Sequence, residues 1–162
     1  MPQQRFMTHW TILSVGVLAL VLTPLTTVVA DKDFHSQRLS FSRTEAGALN
    51  QHPELRSGHV VDIHANGPQI GALEQYMING AKPNTSYQVV LDVLDGGCEG
   101  DPFGLIPTVT LGTNTQGNAH GQVVFTPAQL APFAGMVFGI RWTLVAGVVI
   151  AYQTPCIVVA VD

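Results

Sequence analysis

The chain has 162 residues, of which 46% are hydrophobic and 11% charged, with 7 Lys and Arg against 11 Asp and Glu and a formal net charge of −4. That length fits one domain with a short extension, and the apolar content is enough to fill a core, which excludes a largely disordered chain. The mild acidity also excludes a nucleic-acid binder, because neutralising phosphates takes clustered Lys and Arg.

Residues 1–30 read as an export signal. Arg5 and the amino terminus supply a positive start, residues 11–22 form an uncharged apolar run, Pro24 interrupts it, and Val28-Val29-Ala30 present small side chains just before Asp31. The run is shorter than the roughly 20 apolar residues of a bilayer span. A second apolar stretch, residues 137–161, is broken by Arg141, Gly147, Gln153 and Pro155. The reading is therefore a mature chain of residues 31–162 without a membrane span, delivered outside the cell or into an envelope or periplasm.

Residues 31–57 differ in composition from residues 58–162. They carry Lys32, Arg38, Arg43 and Arg56 balanced by Asp31, Asp33, Glu45 and Glu54, with few aliphatic side chains. They read as a polar extension ahead of a domain at residues 58–162. Within the extension, Leu39-Ser40-Phe41 alternates between Arg38 and Arg43. Such a segment has three fates: pairing with the chain's own sheet edge, remaining a mobile linker, or adding to a neighbouring molecule and making the protein self-assemble.

The domain has period-two spacing, the mark of strands with one buried face. Val61 and Ile63 are the first expected core positions, with Asp62 and His64 facing water. Tyr87, Val89, Leu91 and Val93 come next, then Val109 with Leu111, Val123 with Phe125, and Phe138, Ile140, Trp142 and Leu144. Gly, Pro, Asn and Asp clusters separate these runs. Residues 127–132 are long enough only for a helical connection. The pattern implies an all-β, antiparallel β-sandwich of seven or eight strands, since a sheet with one apolar face must cover it with another sheet.

The run Ile78-Asn79-Gly80-Ala81-Lys82-Pro83-Asn84-Thr85-Ser86-Tyr87 resembles the turn and strand of fibronectin type III and other immunoglobulin-like domains, as found in secreted bacterial modules. The resemblance implies an immunoglobulin-like sandwich in which Tyr87 is the tyrosine corner, its hydroxyl bonded back to the turn. Residues 111–119 (LGTNTQGNA) look like a hairpin common in the same modules. The chain departs from antibody-type domains because Trp142 lies late, not early, between Cys98 and Cys156.

Those two cysteines, an even count in an exported chain, point to one disulfide. Asp62 and His64 share a strand face, and His120 from a neighbouring strand would complete a three-ligand copper site. His59 falls on the face opposite His64, and the His-x-His pair of copper/zinc superoxide dismutases is missing. Asp95, Glu99 and Asp101, with Asp92 nearby, crowd a Gly-rich loop of the oxygen-rich kind that suits calcium. Catalysis has little to rest on: Ser86 is the one serine of residues 58–162, no G-x-S-x-G elbow occurs, and Glu74 and Glu99 are its only glutamates. Tyr76 and Tyr152, near strand ends, are candidates for a sugar-binding surface, and Asn84-Thr85-Ser86 is a glycosylation sequon. The sequence thus reads as an exported, non-catalytic β-sandwich that meets an extracellular protein or glycan through its surface, with calcium or copper binding and carbohydrate binding as alternatives.

Overall fold

The computed structural model describes residues 34–65 and 71–161, so the export signal expected over residues 1–30 lies outside the described residues. Ten strands occur among the described residues: β1 (Phe34–Ser40), β2 (Ser42–Arg43), β3 (Ser57–Ala65), β4 (Ala72–Asn79), β5 (Ser86–Leu94), β6 (Gly104–Gly112), β7 (Ala119–Phe125), β8 (Val137–Ala146), β9 (Val149–Gln153) and β10 (Ile157–Ala160). Two short helices, α1 (Glu45–Leu49) and α2 (Pro127–Leu130), join them, the second running into a 3-10 turn at Ala131–Phe133.

The strands form two antiparallel sheets, one of four in the order β1-β3-β4-β7 and one of six in the order β2-β9-β8-β5-β6, with β10 also paired to β8. The sheets meet over a core that includes Val60, Tyr76, Ile78, Tyr87, Leu111 and Trp142. The expected inward runs on β5 and β8 supply much of it, because alternate side chains of a strand share one face. Among the described residues no helix is long and apolar enough to cross a membrane.

Three expectations need correcting. The polar stretch of residues 34–57 is no extension: β1 pairs with β3 along seven residues, β2 pairs with β9, and α1 packs on β9. Composition misleads here because an edge strand such as β1 has a solvent face and few positions that must be apolar. Of the three fates open to Leu39-Ser40-Phe41, pairing with the chain's own sheet is the one observed: Leu39 and Ser40 pair with Val60 and His59, and the Phe41 N–H donates to the Gly58 carbonyl.

The facing of β3 is also the reverse of the expected one. Val60 and Asp62 are buried between the sheets, whereas Val61 and Ile63 lie on the outer face, where Ile63 aligns with Leu73 and Val124 of the next strands. Both parities of β3 carry aliphatic residues, so alternation alone left the register open, and a slip of one residue turns every side chain over. Residues 111–119, finally, form a tight turn, with Gly117 N–H bonded to the Asn114 carbonyl, but β6 and β7 enter different sheets and do not pair. Gly117 is required there, at φ 76°, because a Cβ would come within 2.0 Å of the Ala81 carbonyl oxygen.

Candidate functional site

Toward the β3–β4 end of the sandwich the inward side chains change character. Along β4, Ile78 and Tyr76 fill the core, and Glu74 and Ala72 come next; along β3, Val60 is succeeded by Asp62 and His64. Asp62 and Glu74 are directly opposed partners across the two strands, and only 4% and 3% exposed. They face Leu91 and Val93 of β5 and Ile140 and Trp142 of β8 across a cavity of about 310 Å³. Phe103, Ile106 and Phe133 line its outer part and stay 67%, 41% and 41% exposed, so the cavity opens to solvent through an apolar rim. That volume lies at the lower end of the range for small-molecule sites, and apolar walls with a few convergent polar groups are their usual make-up.

The carboxyl pair governs the electrostatics. Burial pushes Glu74 up to about 7; Tyr76, which donates its hydroxyl hydrogen to Glu74 Oε2, pulls the other way, the neighbouring Asp62 adds to the rise, and the Trp142 indole opposes it. Asp62 is raised as well, again by burial, with the charge of His64 working against the rise. Burial and then Glu74 push the Tyr76 phenol far above its ordinary range, so it acts as a hydrogen-bond donor. The Trp142 N–H is buried near enough to favour ionised Glu74, yet it has no acceptor in hydrogen-bonding geometry. Among the described residues no Lys or Arg lines the cavity.

The candidate metal ligands do not gather into one site. His120 pairs with Met77 and stands exposed on the outer face of its sheet, whereas Asp62 points between the sheets and His64 lines the cavity. The three do not converge, because the reversed facing of β3 carries Asp62 and His64 to the inner side. Asp92 is taken up by Arg141, whose Nε and a terminal nitrogen donate to its Oδ2 at 3.0 and 2.8 Å. Asp95 Oδ1 accepts the Gly97 N–H at 3.1 Å, and Asp95, Glu99 and Asp101 are exposed. Among the described residues no three His, Cys, Asp or Glu side chains gather as a metal site would require.

Tyr76 and Tyr152 are both buried, at 2% and 0% exposure, and offer no surface to a sugar. Tyr152 donates to the Pro53 carbonyl at 2.8 Å, which is what a buried phenol needs. Tyr87 Oη accepts the Lys82 N–H at 3.3 Å and lies 2.9 Å from His52 Nδ1. Cys98 and Cys156 form a disulfide that ties the β5–β6 loop to the segment before β10. Asn84 is exposed in the turn before β5.

Sequence reasoning missed Glu74 as a site residue. The signal was present in its spacing from Tyr76 and Ile78, which puts all three on one face. Trp142 reads as a core residue from its phase; it is buried at 1% exposure but also lines the cavity. Comparison of the chain with protein-family models, with curated proteins and with solved structures found no match in any of the three.

Proposed function

We propose that the protein is an exported, non-catalytic β-sandwich module that binds a small, mainly apolar molecule between its sheets. The observation that carries the reading is the cavity of about 310 Å³, apolar except where Asp62, His64 and Glu74 reach it. The Cys98–Cys156 disulfide supports an oxidising destination outside the cytosol. The bond from the Lys82 N–H to Tyr87 Oη supports the immunoglobulin-like character of the architecture. Interaction with an extracellular partner then works through the bound molecule and the exposed apolar rim around it.

Calorimetric titration with octan-1-ol tests the reading. Saturable binding at one site is expected, and Ala72→Phe, which fills the cavity from β4, should weaken it at least tenfold while circular dichroism stays unchanged. Failure of octan-1-ol and of its eight-carbon analogues with other polar ends to bind, or equal binding by a folded Ala72→Phe variant, would overturn it.

A further inference from the structure

Resting on the cavity reading above, we infer that the molecule bound there ends in a protonated amine, held by the Asp62–Glu74 pair. Two carboxyls in direct cross-strand register at the wall of an apolar cavity set what the polar end of a ligand must be. A ligand carboxylate or phosphate is repelled, since the described lining offers no Lys or Arg to receive it. An ammonium instead donates charge-assisted hydrogen bonds to both carboxyls, bonds about twice as strong as those of a neutral hydroxyl.

The charges around the pair are unevenly answered. His64, on β3, favours ionised Asp62; nothing basic among the described lining residues does the same for Glu74. The groups that do face Glu74 are Asp62 from β3, Tyr76 from its own strand and Trp142 from β8. The lining residues of β5, β6, β7, β10 and α2 bring no titratable side chain. Trp142 adds a geometric observation at the same wall: its buried N–H has no hydrogen-bond partner and lies beside the carboxyl pair, where the polar end of a ligand would sit.

Titration of the full chain with octylamine, octan-1-ol and octanoate at pH 6, 7 and 8 decides the matter. Octylamine should bind at least tenfold tighter than octan-1-ol at pH 7, and octanoate weakest. Octylamine affinity should rise about tenfold from pH 6 to pH 8 as Glu74 loses its proton, with about one proton released at pH 6, read from the buffer dependence of the binding enthalpy. In Asp62→Asn/Glu74→Gln the preference for the amine should shrink to less than threefold. Equal binding of octylamine and octan-1-ol would overturn the amine inference and leave the cavity reading standing. Absence of binding by all three would remove both. Proton release is read on the unaltered protein, so the inference is tested even if the double variant does not fold; octylamine binding without it would count against Glu74 as the partner.

Discussion

Glu74 holds its proton to about pH 7 because it is buried opposite a second carboxyl. Its folded pKa lies above its unfolded one, so the stability it contributes is complete below about pH 4.5 and is lost as pH rises through about 7. Glu74→Gln should therefore leave stability nearly unchanged at pH 4 and raise it by about 3 kcal/mol at pH 8. Urea denaturation at the two pH values checks this, and a variant less stable than the parent at pH 8 would refute it. His52 acts in the opposite sense. Burial, and then Lys82, lower its pKa, so the stability it contributes is present at neutral pH and lost as pH falls. Its Nδ1 is 2.9 Å from the Tyr87 hydroxyl, which also accepts the Lys82 N–H. Tyr87→Phe removes that shared oxygen and should cost about 1–2 kcal/mol in thermal unfolding.

Among the elements, α1 and β3 show how close contacts settle what patterning leaves open. The helix is only five residues long, and Thr44 caps it by accepting the Gly47 N–H at 2.8 Å. It is held by docking, not by length: a Cβ on Gly47 would lie 2.3 Å from the Ala151 carbonyl oxygen on β9. Gly47→Ala should accordingly destabilise by about 1–3 kcal/mol, visible as a lower denaturation midpoint, although alanine is the better helix former. Strand β3 has aliphatic residues on both faces, and its facing is decided by the neighbour: Val60 opposes Tyr76, and Gly58 opposes Ile78, at the centre of the core. Strands β5 and β8 were legible from sequence because each has one unbroken inward run, Tyr87 to Val93 and Phe138 to Leu144. Their outer positions pair Asp92 with Arg141 across the sheet.

On the scale of the whole molecule, the disulfide joins positions 58 residues apart, at the cavity end of the sandwich. Closing a loop of that length stabilises the fold by roughly 4 kcal/mol in the chain-entropy account. Cys156→Ser should lower the melting temperature by more than about 10 °C, and its octan-1-ol affinity should fall as the loop bearing Phe103 loosens. The period-two pattern, the turn residues and the even cysteine count determined by themselves that the chain is all-β, that it layers two sheets and that Cys98 pairs with Cys156, since these come from local geometry and from elimination. The tertiary structure alone decided that residues 34–43 complete the sheets, that His120 parts from Asp62 and His64, and that Asp62 meets Glu74 beside Trp142. The reason is physical: strand register is chosen by the best packing of the whole core, and a one-residue difference, invisible in alternation, separates a solvated acid from a buried one.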